Sequence, residues 1–108
     1  MKTNPRIEKL VLILEKDPND SFTRYALALE FKSLNDYQTA INLLTELIER
    51  DSKYVAAYHQ LGQIYVYLNR TDLAKKTYRK GIEVAELVGE KKPKQEMEEE
   101  LEEIEDEW

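Results

Sequence analysis

Apolar residues recur along this chain at helical intervals. Leu27, Phe31 and Leu34 are separated by four and three residues, and Tyr58, Leu61, Tyr65 and Leu68 by three, four and three. Such spacing puts each set on one face of a helix. Ala40, Leu43, Leu44, Leu47 and Ile48 form a further set, as do Leu73, Ala74, Tyr78 and Ile82. Short polar turns, Asn35-Asp36 and Asn69-Arg70-Thr71, divide these sets into pairs. Turns this short make the joined helices antiparallel neighbours. The pattern predicts helices near 5–16, 20–33, 37–50, 54–67, 71–87 and 93–106, and no strand. Asn4 is placed to cap the first helix, with Pro5 in its first turn. Asp36 and Thr71 are the expected caps of the helices that follow the turns. Gly89 suits the left-handed residue after the fifth helix, and Pro93 is expected to open the sixth.

A shift of 34 residues lays the chain on itself. Leu27-Ala28 falls on Leu61-Gly62, Phe31 on Tyr65, Leu34-Asn35 on Leu68-Asn69, Ala40 on Ala74, Leu44 on Tyr78 and Ile48 on Ile82. Two units of equal length follow, 21–54 and 55–88. The small residues have a mechanical reason. Closely crossing helices need little side chain at the crossing, and Ala28, Gly62, Ala40 and Ala74 provide that. An interior Gly costs about 1 kcal/mol of helix propensity relative to Ala, so Gly62 points to close packing.

Tyr58-x-x-Leu61-Gly62-x-x-Tyr65, followed by Ala74 and Tyr78, resembles the tetratricopeptide repeat: an aromatic, Leu-Gly, Tyr, Ala and an aromatic over one repeat length. The first unit matches more loosely, with Arg24 for the leading aromatic, Ala28 for Gly and Phe31 for Tyr. Asp17-Pro18-Asn19-Asp20 resembles the linker that ends such a repeat. Residues 5–16 then resemble the second half of an earlier, truncated repeat. Leu47 and Gly81 depart from the pattern where it prefers Ala, and Asp51-Ser52-Lys53 lacks the linker proline. The resemblance implies an all-α superhelix of helical hairpins forming one domain over 1–108. Its parts are a half-repeat helix at 5–16, repeats at 21–54 and 55–88, and an acidic capping helix at 93–108.

It also implies a function, the binding of a peptide or protein segment in the concave groove lined by the first helix of each repeat. The groove-facing residues would be Phe22, Tyr25, Leu29, Lys32 and Ser33, then Ala56, His59, Gln63, Val66 and Tyr67. Apolar side chains left outside the core commonly mark interaction sites. Some family members clamp a chaperone's terminal carboxylate with basic and amide side chains. Tyr25, Leu29, Ala56 and Gln60 stand at the corresponding places here, with no Lys or Arg, so that ligand class is not expected. Two hairpins would hold only a short peptide.

Composition narrows the picture further. Three Gly and three Pro in 108 residues favour long helices, and the lack of Cys removes disulfides, thiolate metal sites and a Cys nucleophile. Leu10-Val11-Leu12-Ile13-Leu14 is too short a run for a signal peptide or a membrane span, and a cytoplasmic protein is the default expectation. The net charge of −6 is unevenly placed: residues 90–108 hold ten acids and three bases, a net of −7, and the rest a net of +1. A nucleic-acid partner would want a basic face. The basic concentration at Arg70, Lys75, Lys76, Arg79 and Lys80 reads as a solvated helix side, so no nucleic-acid or membrane partner is expected.

Catalytic chemistry finds little support. His59, the only histidine, has no acid three or four residues away and no further ligands nearby for a metal. No nucleophile motif, phosphate loop or metal loop occurs. An enzyme, a cofactor and a metal are therefore not expected. The rival to a binding module is a structural protein that self-assembles, as a possible homodimer, through its C-terminal helix. In that segment Met97, Leu101, Ile104 and Trp108 form one apolar stripe amid acids. Such a helix is predicted to dock on the flank of the fifth, in the same chain or a partner's, where Gly81 allows close approach and Lys75, Lys76, Arg79 or Lys80 could face the acids.

Overall fold

The structure, a computed structural model, describes residues 4–105. Among these it contains six α-helices and no strand: α1 (Pro5–Lys16), α2 (Ser21–Ser33), α3 (Tyr37–Arg50), α4 (Val55–Tyr67), α5 (Thr71–Val88) and α6 (Lys91–Glu105). The all-α helical-hairpin architecture is the expected one. α6 begins two residues early, which leaves Pro93 within its first turn, where a missing N–H breaks no helical bond. Trp108, the last member of the tail's apolar stripe, lies outside the described residues. The chain packs as two compact units that meet in sequence at Asp51 and Ser52.

The first unit contains α1, α2 and α3, with α2 packed against both others. Each helix opens on a side-chain cap that satisfies an otherwise orphaned amide. Asn4 accepts from the Arg6 amide, Asp20 from Thr23 and Asp36 from Thr39. The core is Leu27 and Ala28 on α2 with Ala40, Ile41, Leu44 and Leu47 on α3. Arg24 is buried beside them. Its guanidinium donates to the Pro18 carbonyl and lies 3.3 Å from the Glu46 carboxylate. A charge taken from water in this way needs both partners. α1 has no buried residue and carries Leu12 and Ile13 outward. Arg6 ties it to Glu30 of α2 at 3.1 Å.

The second unit contains α4, α5 and α6, with α5 packed on both others and α6 also reaching α4. Its buried apolar residues are Val55, Ala57, Tyr58, Leu61 and Ile64 on α4, Ala74, Tyr78, Val84 and Ala85 on α5, and Met97 and Ile104 on α6. Both close approaches occur at glycines. A Cβ on Gly62 would lie 2.6 Å from Cε1 of Tyr78, and one on Gly81 would lie 2.7 Å from Cβ of Tyr58 and from Sδ of Met97.

The two hairpins turn alike. Asn35 and Asn69, one repeat apart, both adopt left-handed backbone, with φ of 63° and 60°, a conformation Asn tolerates better than most residues. The following amide then closes back onto the helix, Asp36 N to Phe31 O at 2.9 Å and Arg70 N to Tyr65 O at 2.8 Å. The equivalence corrects one expectation: Thr71 is the first residue of α5, and Arg70 holds the cap position without a side-chain bond. Leu34 and Leu73, both counted in apolar stripes, are exposed, because each lies near a helix end beside a turn.

Candidate interaction surface

The residues expected to line a groove come from α2 in the first unit and α4 in the second. On α2, Phe22 is 69% exposed, while Tyr25, Leu29 and Lys32 are half-buried. Ser33 is exposed at the helix end. On α4, Val66 and Tyr67 are exposed, Tyr67 by 67%, and Ala56 is half-buried. Phe22 and Tyr67 thus hold large aromatic surface in water, where a partner could cover it.

His59 and Gln63 differ from the expectation of an open face. Glu100 of α6 reaches across to α4, and its Oε2 accepts from His59 Nε2 at 2.7 Å while its Oε1 accepts from Gln63 Nε2 at 3.1 Å. Tyr78 of α5 donates its hydroxyl to the same Oε1 at 2.8 Å. A carboxylate only accepts, so His59 carries a proton on Nε2. The His59 and Tyr78 rings stand edge to face, with centroids 6.4 Å apart. Three donors from two helices therefore converge on one carboxylate from a third.

The electrostatics follow from that convergence. Burial works to raise the Glu100 pKa, but the hydrogen bonds from His59, Tyr78 and Gln63 outweigh it and hold the carboxyl below the ordinary glutamate value. Burial, together with the hydrogen bond to Glu100 and the charges of Glu100 and Glu103, pushes the Tyr78 phenol well above its usual range. Tyr78 is therefore a fixed donor. Sequence spacing missed this cluster because Glu100 lies 41 positions from His59. One signal was available: Glu100 falls three residues after Met97 and four before Ile104. It is an acid on the buried face of its helix, and such an acid needs donors opposite.

α6 docks on α5 as its stripe predicts. Met97 seats against Gly81, and Ile104 is also buried. Among the basic candidates, Arg79 pairs with Glu105 of α6, whereas Lys80 pairs with Glu83 of its own helix. Lys94 reaches back to Glu86 at 3.3 Å. The attachment is thin. Two buried apolar side chains, Met97 and Ile104, each contributing at most about 1.5–3 kcal/mol, hold a helix of 15 residues. A cleft of about 150 Å³ opens beside it, lined by Gln63, Val66, Tyr78, Glu100, Glu103 and Ile104. Among the described residues no group of three or more His, Asp and Glu could hold a metal ion, and no helix is long and apolar enough to cross a membrane.

Comparison with known proteins adds a family. The family model described as tetratricopeptide repeat matches residues 1–84. The solution structure of a tetratricopeptide repeat domain protein from Salinibacter ruber is 44% identical, with a TM-score of 0.78, covering 82% of this chain and 90% of that one. The TPR2B-domain:pHsp70 complex of yeast Sti1 superposes with a TM-score of 0.85 at 16% identity, covering 92% of this chain and 79% of that one. YrrB, described as a TPR protein with an unusual peptide-binding site, gives 0.67 at 23% identity, covering 72% of this chain and 40% of that one. No curated protein sequence matches the chain.

Proposed function

The chain belongs to the tetratricopeptide repeat family, and on that premise we propose that it is a non-enzymatic protein-interaction module that takes a peptide or protein segment on the first helices of its repeats. In the first unit the candidate residues are Phe22, Tyr25, Leu29 and Lys32 on α2. In the second unit they are Ala56, His59, Gln63, Val66 and Tyr67 on α4. The observation that carries the reading is the exposure of Phe22 and Tyr67. Aromatic side chains bring large contact area at small conformational cost and are enriched among residues that dominate binding energy. The description of YrrB as having a peptide-binding site agrees with this use of the fold.

The test is capture of partners on immobilised chain. Bands retained by the wild type should be lost with Phe22→Ala and with Tyr67→Ala. They should persist with Leu12→Ala, an exposed apolar residue on α1. Unchanged capture by both aromatic variants would refute the assignment. Self-assembly through α6 is the weaker reading, because that helix packs its buried face on α5 of its own chain.

A further inference from the structure

What the α4 face selects in a partner can be read from the segment that already lies on it. We infer that His59, Gln63 and Tyr78 form a recognition site for the glutamate of an acidic amphipathic helix in a partner protein, with α6 as the chain's own tethered occupant. The inference rests on the reading of α4 as a binding face and narrows it to a ligand class.

The chemistry of the site sets the ligand. Both oxygens of one carboxylate are bonded, by three donors at 2.7, 2.8 and 3.1 Å. A terminal helix that merely seals a repeat array needs an apolar inner side and a polar outer one. It has no need of a carboxylate on the inner side. Without an acceptor there, the hydroxyl of Tyr78, a residue only 1% exposed, would lose its partner, which is costly for a buried donor. The site therefore asks for an acceptor that takes three donors on two oxygens, as a carboxylate does, and the flanking seats say how it is presented. Met97, Glu100 and Ile104 lie at i, i+3 and i+7 on one helix face. The seat over Gly81 accepts an unbranched thioether where a Cβ would not fit. The matching ligand has a long unbranched apolar residue, glutamate three positions on and an aliphatic residue four further. Its surrounding acids would suit Arg79, which already takes Glu105 of α6.

α6 is also suited to being displaced. It has two buried residues, Met97 and Ile104, against six on α4 and five on α5. Glu96 and Glu100, Glu98 and Glu102, and Glu99 and Glu103 are like charges four positions apart, which weakens a helix. Acids at its C-terminal end oppose the helix dipole. Its tether is brief: α5 ends at Val88, Gly89 caps it with φ of 79°, and α6 begins at Lys91. Thinly packed elements of this kind open locally while the rest stays folded.

The test titrates full-length protein with two fluorescent peptides and reads anisotropy. One peptide is the chain's own 91–108 sequence. The other is an unrelated acidic helix keeping Met, Glu and Ile at the same spacing. Glu100→Gln and, separately, Met97→Ala/Ile104→Ala loosen α6, and circular dichroism selects whichever variant stays folded. Both peptides should bind the loosened protein roughly tenfold more tightly than the wild type. Replacing the peptide glutamate by Gln, or adding His59→Ala to the protein, should each weaken binding by about the same factor. Equal affinity for the Gln peptide would overturn the inference, as would binding of the own-sequence peptide alone. A loosened protein that forms a dimer refusing both peptides would overturn it too, by making a second copy the occupant. Capture that still depends on Phe22 and Tyr67 while the peptides fail would overturn this inference and leave the proposed function standing. Loss of that dependence would strike the proposed function itself.

Discussion

Arg24 and Tyr58 stand one repeat apart and reach for the same thing. Arg24 donates to the Pro18 carbonyl and Tyr58 to the Ser52 carbonyl, at 2.7 Å in the second case. Pro18 and Ser52 are themselves 34 positions apart. The leading position of each repeat thus ties the first turns of its helix to the linker before it, with a guanidinium in one copy and a phenol in the other. Arg24 has the further task of pairing with Glu46. Arg24→Met should therefore cost about 1–3 kcal/mol, since it removes two polar contacts of about 0.5–1.5 kcal/mol each, although Arg50 still reaches Glu46 at 2.9 Å and the Pro18 carbonyl at 3.5 Å. Tyr58→Phe should cost about 0.5–1.5 kcal/mol, because exposed Ser52 can turn to water. Urea midpoints of the two variants check the order; a costlier Tyr58→Phe would contradict it.

The same shift explains a glycine. Ala28 and Leu44 in the first repeat become Gly62 and Tyr78 in the second, so the smaller residue accompanies the larger ring. Gly62→Ala gains helix propensity of about 1 kcal/mol but drives a methyl into a ring that is itself buried, which should cost more, about 1–3 kcal/mol. Adding Tyr78→Leu should relieve the clash, so a double-mutant cycle should show a coupling of at least about 0.5 kcal/mol. Strict additivity would mean that the two positions do not share this packing.

Ala74 tests the other crossing. It is fully buried at the start of α5, and Ala74→Leu should destabilise by about 1–3 kcal/mol through overpacking. A denaturation midpoint equal to the wild type's would show that the crossing has room.

Much of this was legible in the sequence because helical repeats write their packing into local intervals. Periodicity and turn residues gave all six helices to within two residues, and Asn4, Asp36 and Gly89 were read in their capping roles. Contacts between helices distant in sequence were harder to see. Ala57 and Ile64 are fully buried yet fall outside the stripe of Tyr58, Leu61 and Tyr65, so α4 buries a wider face than that stripe marks. Arg24 reads as a departure from an aromatic, and its burial depends on a carbonyl and a carboxylate that no periodicity links. His59 reads as an open groove residue because its acid arrives from another helix.

Acid should loosen the Glu100 anchor. Its hydrogen bonds hold its folded pKa below the ordinary value of 4.5, so its stabilising effect is complete above that value and is lost as pH falls through the lower folded pKa. Thermal unfolding of the wild type between pH 7 and pH 3 should show a loss that is smaller in Glu100→Gln. Parallel curves for the two proteins would show that the carboxylate contributes no linked stability.

Removing α6 makes the broadest test of how the second unit is held together. Met97 and Ile104 are buried only through its docking, and Met97 rests on the seat over Gly81, where Tyr58 also packs. A chain ending at Glu90 would uncover Gly81 and leave the Tyr78 hydroxyl without Glu100. It should melt lower than the full chain and bind a hydrophobic dye that the full chain does not. The detached segment has the opposite problem. A synthetic 91–108 peptide keeps the like-charge pairs at Glu96/Glu100, Glu98/Glu102 and Glu99/Glu103, each costing about 0.2–0.5 kcal/mol, and it has nothing to bury Met97 against. It should be mostly unfolded at pH 7 and gain helix as its carboxylates protonate, by far-UV circular dichroism. Acid thus has two effects of opposite sign, strengthening the free helix and weakening its Glu100 anchor. A truncated chain that melts with the full one, beside a peptide already helical at pH 7, would mean that α6 neither needs α5 nor supports it.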